Sequence, residues 1–323
     1  MDPTFWIIIA IAALGPIPIS YLVEALRRRP TPPDRLEWDR SIPISHTDVG
    51  GSTIRYIRTG EGPPLLLLHT LRTQLDIFQK VIPELARSFT VYAMDYPGHG
   101  WSDIPKADYT PEFLSRAVAG FLEALKLEQV LVAGVSIGAS IPLLLAADQN
   151  PRLRAVVSIN PFDYGDRGAD RANWVAKLMF TLAAVPVLGE TVMRFRNRMI
   201  ERKILEGGVA RPDALPEAFL EEVFVAGERP GHYQGFVNLI RHMPLWRRAH
   251  EIYWRIGVPV LLVYGDRDWS TEADRKRTAN EIPGARMEKV PNGGHFLTLD
   301  QPEAVIQLIT SFAQELRRLP THA

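Results

Sequence analysis

Within the stretch VLVAGVSIGAS, one serine, Ser136, stands between Gly134 and Gly138 at the end of an apolar run. Serine is a weak nucleophile at neutral pH. It becomes effective when a base takes its proton and an acid orients that base. Both partner types follow in the chain: LLVYGDRDWST offers Asp266 and Asp268, and VPNGGHFLTLDQPEAV places His295 after two glycines. Lifting a side chain clear of a strand end crowds backbone against backbone, which glycine tolerates. The chemistry these residues suggest is attack by Ser136 on an acyl carbon, with His295 as base and one of the two aspartates as its orienting acid.

Such residues must be held by elements far apart in the chain, and the hydropathy pattern supplies them. After a strand-like pair at 38–44 and 53–59, turned by Gly50 and Gly51, apolar strands alternate with helical patterns. The strands are PLLLLHT, FTVYAMDYP, QVLVAGVS, LRAVVSINP and VPVLLVYGD. The helical stretches include TQLDIFQKVIPELAR and TPEFLSRAVAGFLEALKL, the latter with Thr110 as N-cap. Continuous apolar strands between helices predict an α/β fold, a mostly parallel sheet covered on both faces. Between the last two of these strands, residues 162–253 carry little strand signal. Pro186, Gly207, Pro212, Pro216 and Pro230 break this segment into several helices, read as a lid over the carboxyl ends of the strands. The core is then 30–161 together with 254–323.

Composition narrows the function. The chain has 323 residues, 46% hydrophobic, with 37 basic and 37 acidic side chains, so no global charge points to nucleic acid. It has no cysteine, which excludes disulfides, thiolate metal sites and cysteine nucleophiles. Residues 1–29 depart from this ordinary picture. No charge occurs from Phe5 to Val23, a run that as a helix would span about 28 Å, and Arg27, Arg28 and Arg29 follow it. The expectation is a membrane anchor with the main domain cytoplasmic; the alternatives are an apolar helix packed on its own domain and a processed signal. In the lid, Arg194, Arg198 and Arg202 fall on one helical face, with Val192, Phe195 and Met199 roughly opposite. This reads either as a lid resting on an anionic membrane or as one covering the pocket with its arginines in water.

The pieces LLLLHT, MDYPGHGWSD, GVSIG, GDRD and GGHF…QPEAV occur in one order over about Leu65 to Ile309. With them the chain resembles an α/β-hydrolase, similar in layout to the lid-bearing esterases, C–C bond hydrolases and epoxide hydrolases of that superfamily. The resemblance implies Ser136 as nucleophile, His295 as base and Asp268, fourth in G-x-x-D, as acid. Asp266 becomes a turn residue, and Asp163 marks a site some members use for the acid instead. It also implies an oxyanion hole made by the backbone amides of Ile137 and Leu71. Where the family usually has glycine after the histidine of LLLLH, this chain has Thr70, which restricts that loop. Arg72 beside the pocket would grip a substrate carboxylate or phosphate, or else pair with an acid such as Asp76. His69 is expected to hold the loop rather than react. DYPGHGWSD is expected to be architectural, with Asp95 bonding loop backbone; the Ser102–His99 pair only imitates a catalytic one. The expected activity is cleavage of a hydrophobic or lipid-like carboxylic ester with no metal or organic cofactor. The alternatives are C–C, lactone or amide hydrolysis or acyl transfer by the same residues, and ligand binding with vestigial chemistry. A serine at the elbow argues against the dehalogenases and epoxide hydrolases of the superfamily, which attack with an aspartate.

Overall fold

Strands made almost wholly of apolar residues become the inner strands of one sheet. A computed structural model describes residues 14–164 and 168–318. It runs from helix α1 (Pro16–Ala25) through strands β1 (Ile44–Val49), β2 (Ser52–Thr59) and β3 (Pro64–Leu68). Helix α2 (Ile82–Leu85), β4 (Thr90–Met94), α3 (Pro111–Ala124), β5 (Val130–Val135), α4 (Ile137–Ala147) and β6 (Leu153–Ile159) follow. The lid supplies α5 (Trp174–Ala184), α6 (Leu188–Arg194), α7 (Arg198–Glu206), α8 (Glu217–Gly227), α9 (Tyr233–Arg241) and α10 (Met243–Arg247). Then come β7 (Val260–Gly265), α11 (Glu272–Glu281), β8 (Arg286–Val290), α12 (Leu297–Asp300) and α13 (Pro302–Arg318).

The sheet order is β1-β2-β4-β3-β5-β6-β7-β8, antiparallel through β1, β2 and β4 and parallel from β4 onward. Successive strand residues face opposite ways, so each strand feeds two cores. Leu66, Leu68, Val130, Val132, Leu262 and Tyr264 belong to one, and Leu65, Leu67, Leu131, Ala133, Leu261 and Val263 to the other. Helix α3 shows how a helix is set on this sheet. The Thr110 side chain accepts the Phe113 amide at 3.2 Å, and Leu114, Val118, Phe121 and Leu122 turn one stripe inward. Such a cap contributes about 1 kcal/mol.

Three local expectations change. The first strand begins at Ile44 rather than Trp38, whose indole instead donates to Asp76 Oδ1 at 2.7 Å. TQLDIFQKVIPELAR forms a 3₁₀ turn, Leu75–Phe78, and the short α2 rather than one helix. Strand β8, RMEKV, carries no apolar run because it is the sheet edge and only its last residue is buried. The lid segment is helical, as its breakers predict, and its Met179, Phe180, Phe236 and Met243 join the core on one sheet face.

The N-terminal expectation is overturned. Among the described residues no helix is long and apolar enough to cross a membrane. Residues 1–13 of the expected anchor lie outside the described residues. Its described part, α1, docks on the lid through polar side chains. Glu24 takes both terminal nitrogens of Arg196, at 2.7 and 3.2 Å, and the Gly231 amide at 2.6 Å. Arg27 pairs with Glu228. The membrane-anchored, cytoplasm-facing placement is therefore withdrawn. The lid arginines do not share a face either, because the helix breaks after Arg194. Arg194 is buried, donating to Tyr233 and Ser20 with its guanidinium 3.7 Å from the Tyr21 ring centroid. Arg198 and Arg202 pair with Glu221 and Glu217.

Candidate active site

Ser136 sits at the sharp turn between β5 and α4 with φ 60° and ψ −120°. A Cβ on Gly134 would run into the Gly138 carbonyl, and one on Gly138 into the carbonyls of Leu68 and His69. The flanking glycines are thus required by the close approach of strand, turn and helix. The Ser136 amide donates to Ile159 O at 3.0 Å, tying the elbow to β6. Although Ser136 holds the N-cap position of α4, its side chain makes no capping bond. Ser136 lines a cleft whose other walls include Leu71, Phe162, Phe180, Ile204, Met243 and Trp269.

The acid and base meet from two strand ends. His295 Nδ1 lies 2.6 Å from Asp268 Oδ1, and both side chains are fully buried. Asp268 Oδ2 accepts from the Ser270 amide at 2.9 Å and from the Ser270 hydroxyl. Burial alone would raise the Asp268 pKa, but His295 and the Ser270 donors outweigh it and hold the carboxyl below its usual range. A carboxylate only accepts, so the imidazole proton sits on Nδ1 and Nε2 presents a lone pair. Nε2 is buried with no hydrogen-bond partner among the described residues.

Side chains with no motif of their own complete this arrangement. Trp269 stacks on the His295 ring, centroids 3.7 Å apart and planes 12° apart, and its indole donates to Gly207 O of the lid at 2.9 Å. Asn160, with φ 48°, donates to the carbonyls of Gly294 and His295 and accepts the Gly265 amide. It thereby locks the end of β7 to the histidine loop. Asp300 accepts the Gly294 amide at 2.8 Å. Only the adjacency of Trp269 to Asp268 in sequence hinted at any of the three.

The rival acids are elsewhere. Asp266 accepts the Gly293 amide at 3.2 Å and shapes the turn. Asp163 is buried and accepts from Thr278 Oγ1 at 3.1 Å. Burial pushes its carboxyl up to about 7, against the lowering influence of Arg277 and Thr278. Because its folded pKa is raised, stability falls as pH climbs from about 4 towards 7, and the full penalty persists above that. Asp163→Asn removes the penalty. Thermal melts should therefore show the variant gaining on the wild type between pH 5 and pH 8, whereas a pH-independent difference would mean Asp163 is already ionised in the fold.

The loop after β3 carries the proposed second oxyanion donor. His69 is neutral, its pKa lowered to about 4 by burial. Its Nε2 accepts the Tyr96 amide at 3.1 Å, so Nδ1 donates to Thr70 O at 2.8 Å. The left-handed residue here is not Thr70 but Arg72, at φ 58°. The amides of Leu71 and Ile137 donate to no acceptor among the described residues. Thr70 and Arg72 both line the cleft. Arg72 pairs with lid Glu201 at 2.7 Å rather than with Asp76, and lies 4.7 Å from the Phe236 ring centroid. Asp76 is taken instead by Arg55 at 3.2 Å. Asp95 bonds loop backbone as expected, accepting the Leu75 and Trp101 amides, while Ser102 donates to Asp95 O. Among the described residues no cluster of three or more histidines and acids is arranged to hold a metal.

A family model described as Alpha/beta hydrolase family matches residues 65–308. Haloalkane dehalogenase 2 of Mycobacterium tuberculosis is 28% identical over 269 residues, 81% of this chain and 92% of that protein. A 2-(acetamidomethylene)succinate hydrolase of Mesorhizobium japonicum is 25% identical over 82% of this chain and 93% of its own. The crystal structure of the enol-lactonase from Burkholderia xenovorans LB400 superposes with a TM-score of 0.64 at 20% identity, covering 84% of this chain and 100% of that one.

Proposed function

Since this chain belongs to the alpha/beta hydrolase family, we propose that it is a serine hydrolase cleaving a carboxylic ester of a hydrophobic substrate through an acyl-enzyme at Ser136. The observations that carry this reading are the fully buried Asp268–His295 pair and an elbow serine that lines an apolar cleft. Ser136 Oγ attacks the carbonyl carbon as His295 Nε2 takes its proton. The oxyanion settles on the amides of Ile137 and Leu71, the first reinforced by the N-terminal end of α4. As the intermediate collapses, His295 returns the proton to the departing alkoxide. Water, deprotonated by the same nitrogen, then releases the acid and frees the serine.

The dehalogenase name does not transfer. A serine displacing halide from a saturated carbon would form an ether, which has no carbonyl for water to attack. A serine ester does have one, so the enzyme turns over only if the substrate is an acyl compound. The enol-lactonase and the succinate hydrolase among the relatives are in keeping with hydrolysis as the reaction class.

A fluorophosphonate probe tests this directly. Peptide mapping should find the adduct on Ser136 in the wild type and none in His295→Ala. No labelling of the wild type, or equal labelling of the variant, would refute an activated serine.

A further inference from the structure

A second, narrow chamber shares Arg72 as a wall with the serine cleft. Arg72, His99, Glu201, His232, Tyr233 and Phe236 are among its walls. Its lining is more polar than that of the serine cleft, and the triad chemistry makes no use of its polar groups. His99 is only 2% exposed, and its Nδ1 lies 3.2 Å from Pro97 O. A carbonyl accepts, so Nδ1 carries the proton and Nε2 is an acceptor. That Nε2, like Nε2 of His232, is buried without a hydrogen-bond partner among the described residues. Unsatisfied buried polar atoms are costly and point to a partner.

Charge decides what kind of partner fits. Arg72 is matched by Glu201, and Arg196, also in the wall, by Glu24. Burial, foremost, and neighbouring positive charge keep both histidines neutral, His99 down to about 3. An anion would meet an acceptor lone pair on His99 and arginines already neutralised. A hydroxyl suits both sides: it donates to His99 Nε2, and its oxygen can accept from Arg72, whose Nη1 has, among the described residues, only the weak acceptor Met193 Sδ at 3.8 Å.

We propose that this chamber is the polar half of the substrate cleft and binds a neutral hydroxyl group of the substrate, with Arg72 as the shared wall between it and the apolar, serine-bearing half. The inference rests on the cleft assigned above and adds the substrate class: a hydrophobic ester that also carries a free hydroxyl. Arg72 then serves the hydroxyl, not a substrate carboxylate.

Binding rather than turnover tests it, so that its failure is separable from failure of the hydrolase reading. Calorimetry on Ser136→Ala would compare butyl butyrate with the monobutyrate of 1,4-butanediol, and methyl hexanoate with methyl 6-hydroxyhexanoate. The hydroxylated member of at least one pair should bind about tenfold tighter, the loss expected when a buried acceptor goes unpaired. His99→Leu and His232→Phe, each added to Ser136→Ala and checked by thermal melting, should each bring that ratio close to one. Equal affinities within both pairs, no binding of either hydroxylated probe, or a preference that survives both substitutions overturns the proposal.

Discussion

Ser136→Ala folds normally and loses ester turnover by about 10⁴-fold or more, on the order of 5 kcal/mol of transition-state stabilisation. Folding is spared because the hydroxyl makes no capping bond to α4, and the turn is held by backbone bonds to Ile159 and by the flanking glycines. Alanine at φ 60° is as strained as serine, so the cost in stability is small. The effect on rate is large because the remaining machinery has nothing to act through. In the proposed reaction His295 takes the proton from the Ser136 oxygen, Asp268 acts through His295, and the two amides hold the oxyanion that the attack creates; members of such a unit do not contribute additively. Parallel melting curves and initial rates on a short-chain ester check the prediction. A variant that retains even a tenth of wild-type turnover would move the chemistry away from Ser136.

Arg55→Met destabilises the fold by about 3–5 kcal/mol, lowering the melting temperature by on the order of 10 °C. Arg55 is 1% exposed, and one terminal nitrogen reaches Asp76 at 3.2 Å and Asp95 at 3.1 Å. Both carboxylates are as deeply buried as the arginine. Methionine fills similar space but leaves two uncompensated charges, and removing one partner of a buried pair is far costlier than never having the pair. The carboxylates also hold the Leu75 and Trp101 amides and the Trp38 indole. The loss therefore spreads into the loops around His99. Denaturant unfolding measures it, and adding Asp76→Asn should recover part of the deficit. A single variant within about 1 kcal/mol of wild type would show that water reaches these groups.

The two predictions draw on different kinds of information. Ser136, Asp268 and His295 stood out in the sequence because each lies just beyond a strand in a short motif whose residues act locally. Glycines flank the serine, a tight turn holds the acid, and paired glycines precede the histidine. In a parallel sheet, strand ends converge at one edge, so an ordered set of strand-end motifs already implies one site. The two-faced core was legible for the same reason, since strand periodicity is local.

Contacts across long stretches of chain were not legible. Arg72 meets Glu201 and not the nearby Asp76, because Arg55, which looked like an ordinary strand arginine, claims Asp76 from the inside. The charge-free N-terminal run read as a membrane anchor, yet it is followed by Glu24 in the last turn of α1 and Arg27 just after it, whose ion pairs fasten the segment to the lid. The three lid arginines looked like one face until the helix broke after Arg194. Trp269 and Asn160 position His295 with no motif to announce them. Amino-acid order alone singled out the candidate centre, because strand, turn and motif are encoded within a few residues. Tertiary structure alone decided what surrounds that centre, because the partner of a buried charge or donor is whichever group packing brings within about 3 Å.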